Sequence, residues 1–354
     1  MDSFAFIIHA MDVQDIKDHK KMLRFLPNRS VEFIASRISP FVLSHVTGVR
    51  SVATRKEIEG WFIGLPMTSR ALIEYPFAFV AQQIHKCGLL AEKLGAKIIG
   101  LGAFTSVAGD GGITPKKGLH IAVTTGNSYT VATALEATKI AAQKMSIDIN
   151  EEEIAVVGAT GSIGKACALI LSREGKKVRV IGRDREKVIR VQKEIEQFID
   201  HPVKIFTDVE QGIKGSRIIL TVTSAIGTVI QNHWIENGAI VCDVSRPRNV
   251  AKEIMQTRKD ILVIEGGVVD VPGEPDFGMD FGYPPGKAYA CMSETMALTL
   301  EGRFEDYTLG KEVQVDRVQE INQLAVKHGF KVSGIRSFDK EITDEEIEAI
   351  KGEI

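Results

Sequence analysis

From residue 151 onward the chain repeats one pattern six times: a short, nearly continuous apolar run followed by a polar-faced stretch. The runs fall at 154–157, 178–181, 203–206, 218–222, 239–244 and 261–264. Several are β-branched, and an unbroken apolar strand is what burial on both faces of a parallel sheet demands. Residues 163–174, closed by Gly175, read as a helix between the first two runs. Residues 185–199 carry apolar side chains at helical spacing ahead of Pro202. Strands and helices in this alternation predict an α/β fold built on a doubly wound parallel six-stranded domain.

Directly after the first run stands Gly158-Ala159-Thr160-Gly161-Ser162-Ile163-Gly164. With 32 glycines in the chain a triplet says little; its place between a strand and a helix gives it weight. Glycines at 158 and 161 let backbone N–H groups approach a pyrophosphate, and glycine at 164 lets helix and sheet pack closely. The positive end of the helix then favours the anion. Gly158, Thr160, Gly161, Ser162, Ile163 and Gly164 are therefore expected to hold a dinucleotide, although a tight turn without ligand has the same pattern.

The end of the second run separates the two nicotinamide cofactors. An acid there binds the ribose hydroxyls, whereas a cation accommodates the extra phosphate. The sequence reads Ile181-Gly182-Arg183-Asp184, with Arg185 next. Gly182 takes the acid's place, so NADP(H) is expected, with Arg183 and Asp184 beside it; Asp184 also suits a helix N-cap. Thr223, Ser224 and Ala225 follow the fourth run, Asp243 the fifth, and Gly266 and Gly267 the sixth. They share the sheet edge where such folds bind ligands, and two adjacent missing side chains could admit a nicotinamide ring. Each alone is also an ordinary turn.

The first 125 residues are less regular. Strands are expected at 4–10, 39–51, 60–67, 96–103 and 120–124, and helix over most of 71–94. The resulting plan is a smaller α/β substrate domain (1–127), a connecting helix (128–150), the NADP-binding Rossmann domain (151–287), C-terminal helices returning to the first domain (288–335) and an acidic tail (336–354). Lys plus Arg is 44 against 46 Asp plus Glu, so no global basic field exists to grip nucleic acid. No apolar stretch approaches the ~20 residues that span a bilayer. The opening residues lack a basic segment and reach Asp12 early, unlike a secretory signal. Four cysteines without a CxxC pair exclude a disulfide scaffold or cysteine-rich zinc site. A soluble cytoplasmic protein without a metal is expected.

Cys291 is the cysteine with chemical promise. Pro284-Pro285-Gly286 makes a loop before the helix formers Ala288-Tyr289-Ala290-Cys291-Met292-Ser293-Glu294, which places Cys291 in a first helical turn. A helix N-terminus favours thiolate, and Lys287 stands one turn earlier. Spacing alone favours the other reading, a small buried hydrophobe beside Met292 and Met296. Cys87, Cys167 and Cys242 read as structural.

Taken together, the motifs resemble the long-chain acyl-[acyl-carrier-protein] reductases, which form fatty aldehydes. The segments that carry the resemblance are Leu101-Gly102-Ala103-Phe104-Thr105-Ser106, Val123-Thr124-Thr125-Gly126-Asn127-Ser128, the glycine turn, Gly266-Gly267-Val268-Val269 and Tyr289-Ala290-Cys291-Met292-Ser293-Glu294. The resemblance implies that Cys291 accepts the acyl group. It also implies NADP(H) as cofactor and an acyl-carrier-protein or CoA thioester as substrate. Thr125 and Asn127 become candidates for steadying charge on the carbonyl oxygen, although the same segment could cap the next helix. Phe77, Phe79, Val80 and Ile84 could line an acyl cleft or fill a core. Lys17, Lys20, Lys21, Arg24 and Arg29 could meet an acidic carrier or form a solvated face. No general acid stands out: His120 and Tyr289 lie near motifs but read as structural. The loop at 270–286 and the first 60 residues depart from the family pattern, leaving chain length and acyl class open; the sequence does not reveal the oligomeric state. A shikimate or quinate dehydrogenase, a glutamyl-tRNA reductase and a non-catalytic NADPH-binding regulator are the competing readings.

Overall fold

A computed structural model describes residues 1–19, 21–225, 228–245, 248–250, 252–280, 282–338 and 340–354. Two units form: 1–126 with 270–312 and 320–331, and 127–269 with 313–319 and 332–354.

The first unit is built on a mixed sheet. Its strands are β1 (Asp2–Ala10), β2 (Phe41–Arg50), β3 (Glu57–Thr68), β4 (Ile98–Gly100) and β5 (Ala122–Thr124). An edge strand, Gly273–Asp276, gives the order edge-β2-β3-β1-β4-β5. β1 runs parallel to β3 and β4, and β4 to β5, while β2 is antiparallel to β3. Ile7, Ile63, Leu65, Ile99 and Val123 from the sheet pack with Val80, Ile84 and Cys87 from the helix Phe77–Lys93. Val80 and Ile84 are thereby core residues and not the wall of a cleft. Burial pushes the Cys87 thiol well up.

Helix across 71–94 is interrupted once, between Ser69–Glu74 and Phe77–Lys93. Pro76 lacks the N–H a continuing helix needs and forces Tyr75 to an extended ψ of 154°. The strand expected at 96–103 stops at Gly100. Three short helical pieces at Val13–His19, Lys21–Phe25 and Asn28–Ala35 precede β2, where no element was expected.

The second unit contains the six parallel strands. These are β6 (Glu153–Val157), β7 (Lys177–Ile181), β8 (Lys204–Phe206), β9 (Ile218–Thr221), β10 (Ile240–Asp243) and β11 (Leu262–Glu265). They lie in the order β11-β10-β9-β6-β7-β8, the doubly wound arrangement whose order reverses beside β6. The expected runs coincide with these strands to within one or two residues.

Two boundaries of the plan move. The helix Asn127–Lys144 belongs to the second unit, packing on β10, β11 and the helix Ser162–Arg173, so it is no free connector. Small alanines on it, including Ala134, Ala137 and Ala141, permit that close burial. The acidic tail is also structured. Arg336–Ser337 pairs with Lys340–Glu341, and Thr343 and Glu346 form a capping box that starts the helix Asp344–Gly352. Among the described residues no helix is long and apolar enough to cross a membrane.

A Cβ at Gly164 would lie 2.4 Å from the Gly158 carbonyl oxygen and 2.7 Å from Val222 Cγ2. Gly164→Val should therefore cost roughly 1–3 kcal/mol through overpacking, read as a lower urea midpoint. At Gly161 the nearest atom would be 3.4 Å away, and Gly161→Ala should leave the midpoint nearly unchanged.

Candidate active site

In the second unit the glycine turn is shaped by contact. Gly158 has φ 86°, and a Cβ on it would come 3.0 Å from both Thr223 Cγ2 and the Val222 oxygen. The N–H groups of Gly158 and Ala159 donate to the Ile181 carbonyl, and that of Gly161 to the Gly158 carbonyl. These three are therefore spent inside the turn. The donors aimed at an anion come instead from the first turn of the helix Ser162–Arg173, whose N-cap Gly161 offers no side chain to satisfy them. Asn127 approaches this turn, its Nδ2 standing 3.5 Å from Ser162 Oγ. It clusters with the second unit, and the chemistry of the turn is its nearest context.

At the end of β7, Gly182 sits against the turn: a Cβ would meet Thr160 Cγ2 at 2.8 Å. Arg183 is exposed. Asp184 accepts from the Glu186 and Lys187 N–H groups at 3.1 Å, so it serves as the N-cap of Arg185–Ile195. Crowding around Gly182 leaves no room for the acid that would select a free ribose, and the adjacent cation fits a phosphate.

The later strand ends divide. Asp243 is buried and accepts from the N–H groups of Ser245, Asn249 and Val250 at 2.9, 2.7 and 3.0 Å. It is a backbone anchor, not the cofactor contact expected. Thr223 Oγ1 donates to Asn249 Oδ1 at 2.8 Å, and its N–H to Ser245 Oγ at 3.1 Å. The Thr223 hydroxyl also takes the Ala225 N–H at 3.2 Å, so these residues and Ser224 between them shape the rim of the crevice. Gly266 is corrected too: the space its side chain would take is filled by Cys242 Sγ at 2.6 Å and Ala134 Cα at 3.2 Å. Gly267 alone opens onto free space, with nothing within 4 Å. The bare first-turn donors and the open Gly267 fit a nicotinamide dinucleotide, beside which Arg183 stands exposed.

In the first unit, Cys291 is the second residue of the helix Ala290–Glu301, whose N-cap Tyr289 makes no side-chain capping bond. Of the four cysteines it alone keeps partial exposure. Dense protein around it pushes the thiol up to about 12, with the Glu294 charge acting the same way. The N–H groups of Met292 and Ala103 face the sulfur and pull in the opposite direction. Burial outweighs the helix end, so the resting group is a thiol. Lys287 does not offset this, because it is paired with Asp270 at 2.6 Å.

Three neighbours fix the position of this thiol. Gly126, at φ 76°, lies directly against it: a Cβ there would be 2.4 Å from Cys291 Cα. Glu294 is fully buried and accepts the hydroxyls of Thr124 and of Thr308, the latter at 3.0 Å. Gly100 leaves room for Thr295, which a Cβ would meet at 2.2 Å. Thr125 is buried with its Oγ1 unpartnered, while its N–H donates to the Thr308 carbonyl at 2.8 Å. An unpaired buried hydroxyl costs stability, which suits a donor awaiting an oxygen. Glu294 had been noted only as a letter of a motif, and its anchoring role emerges from the contacts. Of the basic cluster, Lys17 donates to Asn28 and Arg24 pairs with Asp18, both at 2.7 Å; Arg29 is exposed, and Lys20 lies outside the described residues.

The family model for shikimate / quinate 5-dehydrogenases matches residues 139–264, within the second unit. Aminotransferase PigE of a Serratia strain is 28% identical over 98% of this chain, which spans only 42% of that relative's length. A long-chain acyl-[acyl-carrier-protein] reductase from Synechococcus elongatus is 25% identical over 92% of this chain and 98% of its own. The chain resembles that reductase almost end to end. An L-tryptophan dehydrogenase from Nostoc punctiforme superposes with a TM-score of 0.41 at 11% identity, covering 99% of this chain and 87% of its own. The nucleotide-binding half is that of an NAD(P)-dependent oxidoreductase.

Ala103 carries φ 44° and ψ −122°, a conformation that costs a residue with a Cβ about 1–3 kcal/mol. Ala103→Gly should relieve it and stabilise the fold by roughly 1 kcal/mol after glycine's own entropy cost, read as a higher urea midpoint.

Proposed function

We propose that the protein reduces an acyl thioester, carried by acyl-carrier protein or CoA, to a fatty aldehyde at the expense of NADPH, through an acyl group held on Cys291. The observation that carries this reading is the setting of Cys291. It is the one cysteine that keeps partial exposure, seated in a helix's first turn with the Met292 and Ala103 N–H groups on its sulfur.

The sulfur attacks the thioester carbonyl, a new C–S bond replaces the carrier's, and the thiol proton leaves on the departing carrier sulfur. The exchange swaps one thioester for another, so its energy hardly changes. Negative charge develops on the carbonyl oxygen during attack. Backbone N–H groups at the helix start and the unpartnered Thr125 hydroxyl are the donors this unit offers; removing one such donor typically costs about 10²–10³ in rate. NADPH, when bound, supplies the hydride. The first-turn N–H groups of Ser162–Arg173 hold its pyrophosphate, and Arg183 holds its extra phosphate. Asn127, 3.5 Å from Ser162 Oγ, stands beside this turn.

Incubation with palmitoyl-CoA without cofactor should add an acyl mass to the Cys291 peptide, and NADPH should discharge it as aldehyde. Cys291→Ala should abolish both. An unmodified protein across chain lengths, with acyl-carrier protein as well as CoA, sinks the proposal. Retention of alcohol oxidation by Cys291→Ala would favour a dehydrogenase of the shikimate type, whose family model matches the nucleotide half. Arg183→Ala should weaken NADPH binding about tenfold and leave NADH binding unchanged, as measured by nicotinamide fluorescence.

A further inference from the structure

We propose that the first unit docks on an anionic lipid surface through the outer side of residues 22–38. The docking needs neither substrate nor cofactor and does not depend on acyl transfer at Cys291.

A small helical layer precedes β2. It consists of Val13–His19, the 3₁₀ turn Lys21–Phe25 and the helix Asn28–Ala35. Val13, Ile16, Val31 and Ala35 are buried together, with Leu23 packed against them. That cluster is the inner side of the layer, and it accounts for the apolar residues at those positions.

The same pieces are apolar on their outer side as well. Residues three apart eclipse in a 3₁₀ turn, so Met22 and Phe25 share one edge; they are 86% and 93% exposed. Beyond Ala35 the helix is extended by one turn, in which the Arg37 and Ile38 N–H groups donate to the Ile34 and Ala35 carbonyls. Along this stretch Phe33, Ile34 and Ile38 are 54%, 43% and 44% exposed. A helix apolar on both faces is ordinarily covered on both. Large apolar residues left open this close together mark a surface that something else covers.

Charge identifies the occupant. Residues 17–38 hold six cations, Lys17, Lys20, Lys21, Arg24, Arg29 and Arg37, against Asp18 and Glu32, in a chain whose net charge is −2. Glu32 is turned inward, buried with Thr68 and Arg70 as its partners. Exposed Arg29 lies one helical turn before Phe33. The Arg37 guanidinium stands 3.5 Å from the Phe33 ring centroid, and its Nη1 donates to the Phe33 carbonyl at 2.8 Å. Cations set among exposed rings and aliphatic chains match a boundary where phosphates overlie acyl chains. There the apolar groups sink while the guanidinium groups stay at the headgroups.

A second copy of the chain fits this face less well, because two-fold pairing brings one cationic side against another. A rigid protein partner needs a socket for Phe25 and another for Met22, each nearly bare of protein neighbours. A fluid apolar layer needs none. The layer rests on the bilayer: among the described residues no helix is long and apolar enough to cross one.

The test sediments the full chain with vesicles of phosphatidylcholine alone and of phosphatidylcholine mixed equally with phosphatidylglycerol. The protein should bind the mixed vesicles, leave the neutral ones largely free, and be released at about 0.5 M salt. Met22→Ser combined with Phe25→Ser should weaken binding about tenfold or more. Arg24→Gln combined with Arg29→Gln should weaken it about tenfold on the anionic vesicles. Urea midpoints equal to wild type show that the variants fold. Should they not fold, Phe25→Trp keeps the apolar edge, and its added emission should shift to the blue and be quenched by brominated acyl chains. No sedimentation with either vesicle, binding that ignores both double variants, or Phe25→Trp emission untouched by the bromines overturns the proposal. A dimer, or a complex with acyl-carrier protein, that Met22→Ser with Phe25→Ser disrupts while vesicles stay bare gives the face to a protein and also overturns it. Acylation of Cys291 by palmitoyl-CoA without vesicles should be the same in every variant, so failure of docking and failure of acyl transfer are read separately.

Discussion

A single buried carboxylate holds the reactive end of the first unit in place. Glu294 is fully buried, and the hydroxyls of Thr124, at the end of β5, and of Thr308 converge on its Oε1. The Thr308 N–H in turn donates to Thr124 Oγ1 at 3.2 Å. Burying a carboxyl group without partners is costly, so these bonds are what make its burial tolerable. Because Glu294 lies one helical turn after Cys291, fixing it fixes the rotation of the helix start. Gly126 and Gly100 then allow backbone and helix to meet at distances no side chain would permit. The thiol is located by a helix that can neither turn nor retreat.

Much of the second unit can be read from the letters alone, because its constraints are local. A β-branched run, a glycine turn and a capped helix each carry their signal within about ten residues, and parallel strands buried on both faces cannot hide their hydrophobicity. Gly158, Gly164 and Arg183 have contacts or exposure in keeping with their positions in that pattern. Asp243 and Gly266 share the same sheet edge, yet one is consumed by three backbone N–H groups and the other by Cys242 and Ala134. Position in the pattern is legible from sequence; whether an atom remains free is decided by neighbours far away in the chain.

The first unit shows the opposite balance. Its site draws on residues near 103, 126, 291 and 308, and no periodicity connects them. His9 looks like one polar interruption at the end of an apolar strand. It receives the Phe104 N–H on Nε2, a contact between segments that follow the neighbouring strands β1 and β4. Glu294 reads as a charge in a helix that buries nearly every side chain, a conflict visible in sequence but resolved only by Thr124 and Thr308. Ala103 gives no warning at all, since a residue with a Cβ rarely adopts a positive φ. The break at Pro76 is of the other kind: proline carries its signal locally, although helix was expected over most of 71–94.

The strain at Ala103 and the poor acidity of Cys291 have a common logic. A thiol near 12 would cost about 7 kcal/mol to ionise fully at pH 7 before any attack. A pre-formed thiolate would reduce that cost but would also be reactive towards every electrophile that reached it. In the proposed acyl transfer, a sulfur held protonated, with the Met292 and Ala103 N–H groups on it, would develop charge only as a carbonyl carbon arrives to share it. Those same donors must be in place beforehand, since donors that reorganise during the reaction lose most of their effect. A peptide fixed in an unfavourable conformation meets that need, provided the packing of Phe104 and the sheet beneath it holds the turn. The strain at Ala103 is thus the structural counterpart of the un-ionised thiol from which the proposed chemistry starts.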